Sequence, residues 1–222
     1  MNSKRLPGKM LKVIGVKNLI SHIIDRARKI NLKSNLVLAT SKNKSDDPLI
    51  KEAKKAKIKF FRGSLNNVVS RAYNCCQKLN AKFFVRICGD RIFLNYREID
   101  KFIKRCEKKG EFDLASNLLG RKIPPGKTIE IINVKALKKI LNNTKSKHDL
   151  EHLTTYIYKN KKKFNLIKLK EPANFKFKYS YAIDNFDDLE RSKYIAKKVR
   201  NLANLSNQEI FRLTKKWYKS LD

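Results

Sequence analysis

Short apolar runs alternate with amphipathic stretches along almost the whole chain, and that alternation restricts the fold more than any other feature. Asn18 stands before Leu19, Ile20, Ile23, Ile24, Ala27 and Ile30, a spacing that predicts a capped helix with one apolar face. The run 35–40 that follows is apolar but too short for a helix, so it reads as a strand. The same pairing recurs. Further strands are expected at 58–61, 82–87, 112–116, 129–133, 164–169 and 178–183. Helices are expected from Asp46 onward, then at 67–79, 97–109, 135–142, 148–159, 186–202 and 207–220, with residues 1–17 as loop. Strand–helix alternation of this kind implies an α/β sandwich, a mostly parallel central sheet with helices on both faces. No linker, repeat or compositional break divides the 222 residues, so a single domain over 1–222 is expected, with 203–222 as a C-terminal helical extension.

Charge is the second feature. The formal net charge is +33, which gives affinity for polyanions whatever the function. Lysine outnumbers arginine about three to one and is dispersed, with one local block at Lys159, Lys161, Lys162 and Lys163. Lys, Asn and Ile are the residues of adenine- and thymine-rich codons, so drift in base composition can supply the charge, and a solvated lysine-rich surface with no specific nucleic-acid partner is expected. With 7 Gly and 5 Pro, collagenous and low-complexity classes are excluded. No run approaches the roughly 18 apolar residues of a membrane span, and no apolar segment follows the charged MNSKRLPGKM start. Cysteines 75, 76, 88 and 106 have neither redox-pair nor zinc-ribbon spacing, so reduced thiols in a cytoplasmic protein are expected.

In doubly wound sheets ligands bind beyond the carboxyl ends of the strands. Thr40, Arg62, Asp90, Ser116, Asn117 and Asp184 occupy those positions. Two isolated acids, Asp90 and Asp184, each follow an apolar strand; together they suit Mg²⁺, and each separately suits a turn or a helix cap. The loop Ser3-Lys-Arg-Leu-Pro-Gly-Lys9 places cations around a glycine, an arrangement that can wrap polyphosphate and that is also common in a basic terminus. Pro125-Gly126-Lys127-Thr128 has the tail of a Walker A loop. Arg121 occupies the position of its first glycine, and a strand follows where the motif needs a helix, so the motif is rejected.

These segments, taken in order, resemble the sugar-acid cytidylyltransferases. The nearest branch is spore coat polysaccharide biosynthesis; the 3-deoxy-manno-octulosonate and acylneuraminate branches are more distant. Ser3 to Lys9 resembles the family's loop signature, Leu38-Ala39-Thr40 its second strand, and Asp46-Asp47-Pro48 the next helix start. Phe61 to Ser64, Arg86-Ile-Cys-Gly-Asp90, Glu151-His152-Leu-Thr154 with Tyr156, and Asp184-Asn-Phe-Asp-Asp-Leu-Glu190 continue in register over about 1–195. The resemblance implies a Rossmann-like nucleotidyltransferase fold and attack of a sugar hydroxyl on the α-phosphorus of CTP, with pyrophosphate leaving. It implies catalytic roles for Arg5, Lys9 and Asp90, nucleotide binding by Ser3, Arg5, Gly8, Lys9, Thr40 and Arg62, and Mg²⁺ held by Asp90 and Asp184. Arg86, Glu130 and His152 fall on the sugar side, and a homodimer is the implied assembly.

The chain also departs from the family pattern. That pattern opens with a strand ending in arginine, and this chain starts at the Met inside the signature, so about eight to ten residues, close to one strand, are expected to be lacking. An unpaired gap would leave backbone groups open along two strands. Asn95 stands for an acid, Thr128 for another, and Thr155 for a proline. Arg86 also fits a core arginine paired to a buried acid, and His152 a structural hydrogen bond. Two other functions fit parts of the chain: a sugar 1-phosphate nucleotidyltransferase, and a truncated, inactive member acting as a basic RNA- or glycan-binding protein.

Overall fold

The computed structural model describes residues 5–31, 36–120, 123–170 and 179–221. It begins with a 3-10 turn at Lys9–Leu11 and a small antiparallel hairpin, β1 (Val13–Ile14) and β2 (Lys17–Asn18), where loop was expected. Gly15 makes the reversal at φ +65°, and strands of two residues are too short for periodicity to reveal. Helix α1 (Leu19–Ala27) then starts as anticipated, with the Asn18 side chain accepting from the Ser21 N–H at 3.0 Å. There follow β3 (Val37–Ser41), α2 (Asp47–Lys55), β4 (Lys59–Gly63), α3 (Val68–Lys78), β5 (Phe83–Val85) and α4 (Tyr96–Lys109). The second half runs β6 (Leu114–Ser116), β7 (Glu130–Asn133), α5 (Val134–Asn143), α6 (Lys147–Glu151), α7 (Thr155–Lys159), β8 (Leu166–Lys168), α8 (Phe186–Lys197) and α9 (Asn207–Lys219).

Strand β3 pairs in parallel with β4, and a separate four-stranded sheet has the order β5-β7-β6-β8. In it β6 and β8 are parallel, while β7 runs against both β5 and β6. Among the described residues, β3 and β5 each have one ladder partner only. Alternation along the strands sends side chains to two cores. Leu114 and Ile132 join Leu137, Ile140, Tyr156 and Ile157 on one face; Ala115, Ile131 and Ile167 join the α1, α4, α8 and α9 side chains on the other. Ser116 and Glu130 follow the parity of Leu114 and Ile132, so they point toward the face that α5 and α7 cover.

Two expected elements are altered. The helix expected over 148–159 is broken into α6 and α7, because His152 takes φ −97°, ψ 81° and the Thr154 side chain bonds inward rather than along a helix surface. The strand expected at 178–183 begins outside the described residues, and its described part forms no ladder. Its backbone bonds go singly instead: the Tyr181 N–H to the Pro125 carbonyl at 2.8 Å and the Ile183 N–H to the Asp90 carbonyl at 3.0 Å.

Buried cations tie the last segment to the strand-end loops. The fully buried Arg26 donates to the carbonyls of Leu94, Leu202 and Leu205, and burial pulls its pKa down to about 10. Arg191, equally buried, bonds Asp188 and the Ala182 carbonyl. Ile210 and Leu213 of α9 pack in the same core as Leu189 and Ile195 of α8.

Candidate active site

Three segments meet at one corner of the molecule. Gly8 adopts φ 64°, a left-handed conformation that favours glycine, and this turns the chain into the 3-10 turn that carries Lys9 and Met10. Lys9 Nζ donates to the Ile183 carbonyl at 3.0 Å and lies 3.5 Å from Asp184 Oδ1; Arg5 Nη2 lies at the same distance from that oxygen. The Ile183 N–H in turn bonds the Asp90 carbonyl. A Cβ at Gly89 would come within 2.7 Å of Met10 Sδ, so the glycine lets the loop lie directly against the segment that carries Asp90. The structure thus brings together Arg5, Gly8, Lys9, Asp90 and Asp184, from three separate stretches of sequence. Ser3 lies outside the described residues.

This corner is under-bonded. The Arg5 side chain is 69% exposed, and its only ion pair among the described residues is the long one to Asp184. Asp90 Oδ1 is buried with no hydrogen-bond partner. A buried carboxylate oxygen without a donor is costly unless a cation or ligand completes it. Among the described residues no three His, Cys, Asp or Glu side chains converge into a protein-only metal cage. Two carboxylates suit Mg²⁺, which takes few protein ligands and completes its shell with water and phosphate oxygens. The donor set therefore fits that ion.

A second cluster is built around the buried carboxylate of Glu130. The Arg86 N–H bonds the Glu130 carbonyl, which extends the β5–β7 ladder by one residue and puts the Arg86 side chain on the face of Ser116 and Glu130. Arg86 Nη1 donates to Glu130 Oε2 at 2.9 Å and to Thr154 Oγ1 at 3.2 Å. Thr154 and Tyr158 both donate to Glu130 Oε1 at 2.9 Å, and Ser116 Oγ lies 2.8 Å from the Tyr158 hydroxyl. Burial, with Glu130 adding to it, pushes the Tyr158 phenol above its ordinary pKa, so it stays a donor. For Arg86 burial opposes the charge, but Cys88, Glu130 and Asp90 together raise its pKa. Arg86 is paired to a buried acid, as the core-arginine alternative expects, and its side chain remains 28% exposed.

The family model described as cytidylyltransferase matches residues 1–216. The chain belongs to the cytidylyltransferase family. It is similar to the spore coat polysaccharide biosynthesis protein SpsF of Bacillus subtilis (strain 168), 28% identical over 96% of this chain and 90% of that protein. A solved cytidylyltransferase from Leptospira borgpetersenii serovar Hardjo-bovis superposes with TM-score 0.91 at 24% identity, covering 99% of this chain and 92% of that one. The CMP:2-keto-3-deoxy-manno-octonic acid synthetase, solved with CTP, superposes with TM-score 0.68 at 15% identity, covering 89% and 95%. These superpositions establish the nucleotidyltransferase α/β fold.

In this cytidylyltransferase-family chain, other expected site residues hold the protein's own loops. Thr40 Oγ1 donates to Asp46 at 2.7 Å, and Arg62 bonds the carbonyls of Ser41 and Asn43 and pairs with Asp47. Among the described residues neither bonds Arg5, Lys9 or Asp184. His152 is exposed, with its ring edge-on to His148 at 4.6 Å rather than bonded to the Arg86 cluster. Lys127, from the rejected Walker tail, is buried and donates to the Phe93 carbonyl and to Asn207 Oδ1, each at 3.0 Å. Gly126 lets that loop reach the 181–182 backbone, where a Cβ would sit 2.5 Å from Ala182 N. Asn95 caps α4 and Asn117 bonds Lys127 and Ile129 backbone groups. Sequence reasoning missed Tyr158. Its signal was present, four residues after Thr154 and so above it on one helical face.

No helix among the described residues is long and apolar enough to cross a membrane.

Proposed function

We propose that the chain transfers CMP from CTP to a hydroxyl of a sugar or sugar acid, releasing pyrophosphate, for synthesis of a surface polysaccharide. The observation that carries this reading is the corner where Arg5, Lys9, Asp90 and Asp184 meet with fewer bonds than their charges can make. The reaction breaks the bond between the α-phosphorus and the oxygen that bridges to the β-phosphorus, and forms one from the sugar oxygen. It asks the protein to align two anions and neutralise charge rather than to form a covalent intermediate. Gly8 shapes the loop so that its backbone approaches the triphosphate. Arg5 swings from its long contact with Asp184 onto a phosphate, and Lys9, already tethered to the Ile183 carbonyl, supplies a fixed positive charge. Asp90 and Asp184 would hold Mg²⁺, which supplies charge neutralisation at the phosphates and acidifies the attacking hydroxyl. Thr40 and Arg62 act on the nucleotide side by holding the 41–47 loop. Arg86, Glu130 and His152 belong to the acceptor side, and the working assembly is a cytoplasmic homodimer.

Thermal melting with Mg²⁺ and each of CTP, UTP, GTP and ATP tests the nucleotide. A ligand at about 100 times its Kd raises the melting point by roughly 5 °C or more in a chain of this size. A shift with CTP that the other three do not match is expected. Equal shifts with all four, or none with CTP, would reject the reading.

A further inference from the structure

The hydroxyl hydrogens around Glu130 converge on it. Thr154 gives its hydrogen to Oε1, and Tyr158 gives its own to the same oxygen. Ser116 Oγ accepts from the Leu118 N–H at 3.1 Å, which leaves its own hydrogen for the Tyr158 oxygen 2.8 Å away. The hydroxyls therefore form an ordered relay, Ser116 to Tyr158 to Glu130, with Thr154 as a second donor. Ser116 and Glu130 are register partners across β6 and β7, so their backbone fixes this geometry.

The relay acts on Arg86. A guanidinium has five N–H donors, and Nη1 carries two of them. Both are used, one on Glu130 Oε2 and one on Thr154 Oγ1. Among the described residues the Nε–H and Nη2 donors have no hydrogen-bond partner, and the side chain is partly open to solvent. The Nε–Nη2 edge is the one that takes a carboxylate or phosphate through two parallel bonds. A guanidinium held rigidly by one side offers that edge at a lower entropic cost than a free arginine does.

We propose that Tyr158 and Thr154, backed by Ser116, are positioning residues. Through Glu130 they fix Arg86 so that its free edge takes an oxyanion, carboxylate or phosphate, on the acceptor substrate. The proposal deepens the functional reading above and rests on it for the word acceptor; the anion site itself stands on the bonds just described.

The test follows the Arg86 Nε–Hε resonance in ¹⁵N-labelled protein, assigned by its absence in Arg86→Lys. Pyruvate is titrated in one arm and inorganic phosphate in the other, each with and without Mg²⁺ and CTP. The resonance is expected to move saturably with at least one anion. Movement with pyruvate alone assigns a carboxylate, and with phosphate alone a phosphorylated acceptor. Tyr158→Phe and Thr154→Val each weaken that binding by about tenfold, the size of one lost hydrogen bond to a charged group, while Thr154→Ser stays within about twofold of wild type. If Tyr158→Phe loses its dispersed amide spectrum, Ser116→Ala replaces it and is expected to weaken binding in the same direction. An Arg86 resonance unmoved by both anions, or wild-type affinity in the hydroxyl-deleted variants, overturns the proposal. A missing CTP-induced melting shift defeats the functional reading and leaves the titrations without CTP to decide this one.

Discussion

The Arg5–Lys9–Asp184 corner and the Arg86–Glu130 cluster contain the same chemistry, cations facing a carboxylate, and use it in opposite ways. At the first, contacts to the Asp184 carboxylate are 3.5 Å long, Arg5 is largely exposed, and an Asp90 oxygen has no donor. At the second, Glu130 is 2% exposed and three donors reach it at 2.9 Å. Exposed pairs contribute little to stability, whereas a buried pair that loses one partner is strongly destabilised. On the functional reading proposed above, the first corner exchanges its internal contacts for a ligand, and the second keeps its contacts and presents one edge of one side chain.

The sharpest way to break the contrast is to make the same amide substitution in both places. Asp90→Asn and Asp184→Asn are expected to cut CTP-dependent pyrophosphate release by about 100-fold or more, the scale on which removed charge stabilisation acts in a transition state. Their melting points should stay within about 2 °C of wild type, because neither carboxylate supports a buried bond network. Turnover within about tenfold of wild type in both variants would remove these acids from the reaction. Next in size, Glu130→Gln leaves the Arg86 guanidinium half-buried without its counter-charge. A loss of about 2–4 kcal/mol in urea unfolding is expected. A loss below about 1 kcal/mol would make Glu130 as dispensable to the fold as Asp184 and erase the distinction.

The contrast also marks what sequence could show. The alternation of strands and helices depends on local spacing, so the order of elements and the Asn18 cap were legible. Asp90 and Asp184 were singled out together because both end apolar runs, and Arg5 and Lys9 reach Asp184 from the N-terminal loop. The buried cluster was only half legible. Arg86 and Glu130 were singled out, but Tyr158 lay in a stretch that reads as one continuous helix over 148–159. The break at His152 that turns Thr154 and Tyr158 onto Glu130 is set by bonds to another strand, and local spacing carries no trace of it. The same holds for the 179–183 segment, whose apolar residues suit a strand. Its bonding is decided by the Pro125–Gly126 loop and by Asp90, both distant in sequence. Thr40 and Arg62 differ in a third way: both stand at strand ends as expected, and their side chains bond the neighbouring 41–47 loop, which strand-end position alone does not reveal.

That loop gives the smallest predicted effect and a further carboxylate to compare. Asp46 is buried, and its Oδ2 accepts from Thr40 Oγ1 at 2.7 Å, from Ser41 Oγ at 2.6 Å and from the Ser41 N–H at 3.1 Å. Burial alone would raise the carboxyl pKa; the hydrogen bonds to the carboxylate, with Ser41 and Thr40 among their donors, act the other way, and the net shift is downward. A carboxyl whose pKa is lower folded than unfolded contributes stability that is fully present above the unfolded value, about pH 4, and is lost as the pH falls toward the folded value. Asp46→Asn removes that term and leaves every other titrating group in place. Wild type should therefore exceed the variant in urea midpoint by its largest margin at about pH 6 to 7, and the margin should shrink below about pH 4. A margin that stays constant to about pH 3 would mean that the bonds to the Asp46 carboxylate do not favour its ionised form.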